Sequence, residues 1–125
     1  MNNNKRILVV DDDQTTIDLT KTFLEKNGFE VVIAGDGDEA ITFANQKVPD
    51  LILLDVMLPT IDGFEVCLRL KSHILLKNTP ILMVTAKGLD CDIERGEAVG
   101  ADEYIIKPFS GKDLMVIIRK YLEIN

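Results

Sequence analysis

The chain has little of what most site chemistries require. Its 125 residues include only two cysteines, Cys67 and Cys91, and one histidine, His73. The cysteines follow no ligand spacing, and a single histidine cannot complete a zinc site with them. Unpaired thiols of this kind suit a reducing, cytoplasmic setting. Basic charge is also short: 14 Lys and Arg face 21 Asp and Glu, for a formal charge of -7 and a pI near 4.6. That balance gives no electrostatic footprint for DNA, RNA or anionic lipid, so neither direct nucleic-acid binding nor a membrane role is expected. No apolar run approaches a membrane span, and the one that follows Met1 to Arg6 is too short for a signal peptide. Repeats, low-complexity tracts and linkers are missing as well. What remains, 46% apolar and 28% charged residues in 14.0 kDa, is the balance of one domain, 1–125, able to bury a core without disulfides.

Four short apolar runs stand out, Ile7–Val10, Leu51–Leu54, Ile81–Val84 and Tyr104–Ile106, with a fifth, Val31–Ile33, that looks like an edge strand. Each is too brief for a helix. Continuous rather than alternating hydrophobicity predicts strands buried on both faces, as in a parallel sheet covered by helices. Helix-length stretches lie between them and open on capping pairs: Asp36 with Glu39, Asp62 with Glu65, Ser110 with Asp113. Asn27-Gly28 and Gly100 supply stop signals. The pattern is a five-fold βα alternation, and right-handed crossovers point to a flavodoxin-like (βα)5 three-layer sandwich with strand order 2-1-3-4-5. The longest irregular piece is Ser72 to Pro80.

In such a sheet the site lies beyond the carboxyl ends of the strands. Those ends carry Asp11, Asp12 and Asp13 after the first strand, Asp55 after the third, Thr85 after the fourth and Lys107 after the fifth. Six polar residues in the same relative position predict one rim. Crowded carboxylates raise one another's pKa and call for a cation, and oxygen-only donors suit Mg2+, with Mn2+ as the alternative. A carboxylate nucleophile, a divalent ion, an ammonium and a hydroxyl together make a phosphoryl-transfer site. No serine or cysteine has a histidine base, since His73 falls in the irregular stretch.

Four segments carry a family resemblance: Ile7-Leu8-Val9-Val10-Asp11-Asp12-Asp13; Asp55-Val56-Met57-Leu58-Pro59-Thr60-Ile61-Asp62-Gly63; Val84-Thr85-Ala86; and Lys107-Pro108-Phe109. With Gly100-Ala101-Asp102 before the last strand, the whole chain resembles a two-component response-regulator receiver domain of the single, chemotaxis-regulator type. The resemblance implies that Asp55 accepts a phosphoryl group from a phosphohistidine on a histidine kinase or phosphotransfer protein. It implies that Asp11, Asp12 and Asp55, with the backbone carbonyl of Met57, hold Mg2+, and that Lys107 contacts the phosphoryl group. Thr85 and Tyr104 would be the switch, and Met57 and Lys87 would tune the lifetime of the product. Such a chain is an enzyme only in catalysing its own phosphorylation and dephosphorylation. Its readout surface would be the fourth helix, fifth strand and fifth helix, facing a downstream protein or output domain. Lys107-Pro108 resembles the family's cis peptide.

One departure concerns the last helix. Receivers that dimerise like winged-helix transcription factors carry an arginine where Ile117 stands here. Met115, Val116, Ile117, Ile118, Tyr121 and Leu122 instead predict a helix apolar beyond one core stripe, with a hydrophobic partner surface. Asp13 has a second reading as an N-cap. Two other functions fit parts of the pattern. Asp11-Asp12-Asp13-Gln14-Thr15 matches the D-x-D-x-T signature of haloacid-dehalogenase-like phosphatases, with Asp11 as nucleophile and Asp13 as acid/base, but leaves Asp55 unexplained. A phosphate-independent docking module would show an eroded acidic pocket, and here every position is filled.

Overall fold

The computed structural model describes residues 5–59, 61–85, 94 and 98–122. Each apolar run becomes a strand, one residue longer at one or both ends than its hydrophobicity suggests: β1 Arg6–Val10, β2 Glu30–Ala34, β3 Leu51–Asp55, β4 Ile81–Thr85 and β5 Glu103–Ile106. Asp55 and Thr85 are therefore the last residues of their strands rather than the first beyond them. All four pairings are parallel, and the order is β2-β1-β3-β4-β5, as predicted.

Alternate residues of every strand face opposite sides, which splits the core in two. Leu8, Val10, Ile52, Leu54, Ile81 and Met83 face α2 (Gly37–Gln46) and α3 (Gly63–Lys71). Ile7, Val9, Leu51, Leu53, Leu82 and Val84 face α1 (Gln14–Lys26) and the C-terminal helix α4 (Gly111–Leu122). Each fully buried aliphatic side chain contributes about 1.5–3 kcal/mol. Continuous apolarity along a strand is thus the requirement of a sheet with two covered faces.

The predicted caps form. Asp13 accepts from Thr16 N and Oγ1, Asp36 from Glu39 N, Asp62 from Glu65 N, and Ser110 Oγ from Asp113 N, at 2.6–3.0 Å. Gly28 and Gly100 adopt φ of 89° and 91°, the left-handed conformation that ends a helix without a Cβ penalty. Lys107-Pro108 is cis.

One expectation changes. The C-terminal helix is not broadly apolar toward solvent: Met115 and Ile118 are buried, and Ile117, Tyr121 and Leu122 pack against the same core, leaving Val116 exposed. Its surplus hydrophobicity packs into the core cluster that holds Leu82, Val84 and Ile105 of β4 and β5, so no wide partner surface remains on it. Most of the helix expected between β4 and β5, in the fourth βα unit, lies outside the described residues, as do Lys87 and Cys91. Cys67, by contrast, is fully buried on α3, where burial pushes its thiol up to about 11.

Candidate functional site

Three strand ends build the site. β1 stops at Val10, and the chain turns so that Asp11 N donates to Ala34 O and Asp13 N donates to Asp11 Oδ1 at 2.9 Å. β3 ends on Asp55, whose Oδ1 accepts from Met57 N at 2.8 Å. β5 leads into Lys107, whose N–H donates to Thr85 O at 2.7 Å and so ties the ends of β4 and β5 together.

The functional groups meet in front of these ends. Lys107 Nζ lies 3.0 Å from Asp55 Oδ2 and 3.4 Å from Asp11 Oδ2. Asp11, Asp12 and Asp55 each offer a carboxylate oxygen within 4.8 Å of the others. Asp11 and Asp55 are buried and Asp12 is exposed, so the cluster opens to solvent on one side. Thr85 is buried at the end of β4. Thr85 pairs with Ile106 in the register, and Tyr104 two residues earlier pairs with Met83, so Thr85 and Tyr104 share one face of adjacent strands, a diagonal step apart. Tyr104 is half-buried against the core under α2 and α3.

Charge in this cluster is unbalanced: three carboxylates converge on one ammonium. Burial pushes the Asp55 carboxyl above its ordinary value; the Met57 N–H and Lys107 pull it down without prevailing, and the like charge of Asp11 adds to the rise. Burial alone would lower Lys107, but Asp55 and Asp11 outweigh it and hold the ammonium more firmly protonated. The remaining negative charge and the all-oxygen donor set fit a hard divalent cation.

Asp13 does not join the cluster. Its carboxylate caps α1 through Thr16, and those hydrogen bonds hold it below the usual carboxylate range. The acid/base role that a D-x-D-x-T phosphatase needs from Asp13 is thereby taken by a helix cap. Met57 is 76% exposed beside Asp55, at the mouth of the cluster. His73 sits between α3 and β4, at the other end of the sheet.

Two contributors escaped the sequence. Gly63 N donates to Val56 O at 2.9 Å, and a methyl group at Gly63 would overlap the Asp55 carbonyl and reach within 2.8 Å of Val56 Cα. Glycine here lets α3 start directly against the backbone that presents Asp55; the signal was the glycine after the Asp62 cap. Asp102 fixes the start of β5, accepting from Ile81 N and Lys71 Nζ, both at 2.8 Å. No local pattern marks that partnership.

Comparison with known proteins agrees with this geometry. Residues 7–119 match the response regulator receiver domain family. Over 119 residues the chain is 45% identical to the alkaline phosphatase synthesis transcriptional regulatory protein PhoP of Bacillus subtilis, covering 95% of this chain and 49% of that protein. The chain thus spans about half the length of the curated relatives it matches. The chemotaxis protein CheY4 of Vibrio cholerae superposes with a TM-score of 0.92 at 33% identity, covering 95% of this chain and 99% of that one. The receiver domain of the sensor histidine kinase PA1611 of Pseudomonas aeruginosa, solved with a magnesium ion coordinated in its active-site cleft, gives 0.91 at 27% identity, covering 97% and 99%. The chain belongs to the response regulator receiver domain family, the receiving module of two-component phosphorelay signalling. No described helix is long and apolar enough to cross a membrane.

Proposed function

We propose that Asp55 is the phosphoacceptor of this receiver, that Lys107 and Thr85 bind the transferred group, and that Asp11, Asp12 and Asp55, with the Met57 carbonyl, hold Mg2+. The observation that carries this is the placement of Lys107 Nζ 3.0 Å from Asp55 Oδ2, where the oxygens of Asp11 and Asp12 also converge. In the transfer, an Asp55 oxygen attacks the phosphorus of a phosphohistidine on a kinase or phosphotransfer protein. The O–P bond forms as the P–N bond breaks, and the leaving imidazole takes up a proton. Lys107 offsets charge on the phosphoryl oxygens, and the Asp55–Met57 hydrogen bond fixes the carboxylate so that its other oxygen faces the donor. A bound divalent cation supplies the remaining positive charge.

The new phosphate adds charge and acceptor oxygens within reach of the Thr85 hydroxyl. Thr85 and Tyr104 share a face, so a shift at one changes the packing of the other. That pair is the switch, and β5 with its neighbouring helices is the readout toward a downstream protein or output domain. Met57, at the open mouth, and Lys87 tune how fast water removes the phosphate. Self-phosphorylation and self-dephosphorylation are the full extent of the catalysis, and the cytoplasm is its setting.

Incubation with acetyl phosphate and Mg2+ is expected to add one phosphoryl group, mapped to the peptide containing Asp55. Asp55→Asn should reduce labelling at least about a hundredfold, and chelation should block it while circular dichroism stays unchanged. Label on Asp11, or full labelling of the Asn variant, would falsify the assignment.

A further inference from the structure

Among the described residues eight large apolar side chains are exposed, and only Ile74, at 76%, and Leu75, at 62%, adjoin in the chain. They sit at the tip of the 72–80 segment between α3 and β4. That tip is firmly built. Leu76 N donates to His73 O at 2.9 Å, Thr79 N to Leu76 O at 3.0 Å, and Leu75 N to His73 Nδ1 at 3.2 Å. Leu76 is fully buried beneath it, and Lys71 Nζ donates to the carbonyls of Lys77 and Thr79. Two apolar side chains on a preorganised platform can be covered by a partner without the cost of ordering the segment.

Charge marks the same place. The chain has 21 acidic residues, yet none falls from Val66 to Leu89. Within that stretch Arg69 is paired with Glu65 and Lys71 with Asp102. Lys77 and His73 flank the apolar pair and have no carboxylate partner among the described residues. Because His73 Nδ1 accepts from Leu75 N, its ring proton is on Nε2, available as a donor.

We propose that the Ile74–Leu75 tip is a docking surface for an acidic amphipathic helix of a partner protein. Apolar side chains of that helix cover Ile74 and Leu75, and its flanking carboxylates meet Lys77 and His73. A second copy fits less well, because two such tips would bring like charge together. An anionic bilayer fits less well too, since two apolar and two donor side chains are a small anchor for a chain of net charge -7. The tip precedes the start of β4 and Asp55 ends β3, so the two lie at opposite ends of the sheet, roughly 15 Å apart along the strands. Docking here leaves the acidic cluster open. It is independent of phosphorylation and does not rest on the role assigned to Asp55.

The test is titration of the full chain, followed by amide NMR, with a helical peptide bearing leucines on one face and glutamates beside them. Saturable shifts centred on residues 73–77 are expected. Affinity should fall at least about tenfold in Ile74→Ser/Leu75→Ser and severalfold in high salt, and stay unchanged in Asp55→Asn. Both substitutions are exposed, so the fold tolerates them, and an unchanged circular dichroism spectrum checks that. Equal binding of the same peptide with lysines for glutamates overturns the proposal, as do shifts elsewhere. Preferential binding to phosphatidylglycerol vesicles, or a concentration-dependent dimer abolished by the double substitution, overturns it in favour of a bilayer or a second copy.

Discussion

The two ends of the sheet hold the same chemical parts and use them oppositely. At the amino ends of the strands, apart from the cationic 72–80 tip, the carboxylates that meet the strand starts have donors to match them. Asp50 accepts from Arg6 N at 2.7 Å, Glu30 pairs with the Arg6 guanidinium, and Asp102 takes Lys71 Nζ and Ile81 N while its carbonyl takes Tyr121 Oη at 2.7 Å. At the carboxyl ends, three carboxylates crowd one lysine. Matched groups clamp strands and helices together; unmatched groups retain an appetite for cation and phosphate. The function proposed above falls at the surplus of charge and not merely where charge occurs, since charged residues occur at both ends.

That contrast can be broken by substitution, beginning with the residue that joins the surplus end to a helix. Gly63→Ala is expected to cost about 3 kcal/mol, because the added methyl meets backbone, which cannot rotate away. Urea unfolding measures the loss, and labelling by acetyl phosphate should slow as well, since the displaced backbone is that of Asp55. A Gly63→Ala protein with ordinary stability and labelling would show that the contact is easily relieved.

A smaller effect is expected at the matched end. Lys71→Met removes the ammonium that serves Asp102 and the Thr79 carbonyl; exposed Asp102 keeps the Ile81 N–H, so the cost of about 1–3 kcal/mol falls on the part-buried Thr79 carbonyl left short of a donor. Labelling of Asp55 under folding conditions should be unaffected. If Lys71→Met slowed labelling as much as Gly63→Ala, the two ends would not be separable and the contrast would fail.

Much of this was legible from the amino acids. Strand ends show because an apolar run stops abruptly at Asp11, Asp55, Thr85 or Lys107, and a parallel sheet brings those stops to one side. Caps show because Asp36 and Glu39, or Asp62 and Glu65, signal within one turn of chain. What stayed hidden depends on space rather than spacing. Lys71 finds Asp102 across 31 positions, Gly63 matters through a backbone it approaches only after folding, and the apolar surplus on the C-terminal helix packs inward with Leu82, Val84 and Ile105 of β4 and β5. The pairing of Thr85 with Tyr104 on one face needed the β4–β5 register.

The smallest effect probes the surplus directly. Asp55 is buried and near Asp11, and its carboxyl is shifted above the ordinary 3.8. A carboxyl that holds its proton more tightly when folded favours the fold at low pH, and that contribution is lost as pH rises from the ordinary carboxylate range through the raised value. At neutral pH the ionised Asp55 therefore works against stability. Asp55→Asn, which keeps the shape and removes the charge, should stabilise the chain by on the order of 0.5–1 kcal/mol, a few degrees in Tm. The gain should shrink as the pH is lowered into the carboxylate range, where the wild-type group is protonated too. Mg2+ should raise the Tm of the wild type and have less effect on the variant, because a ligand that binds only the folded state stabilises it by an amount that grows with the logarithm of its concentration over Kd. Were Asp55→Asn instead destabilising by an amount like that of Lys71→Met, Asp55 would be a matched structural group, and the carboxyl end of the sheet would have no charge to spare for phosphate chemistry.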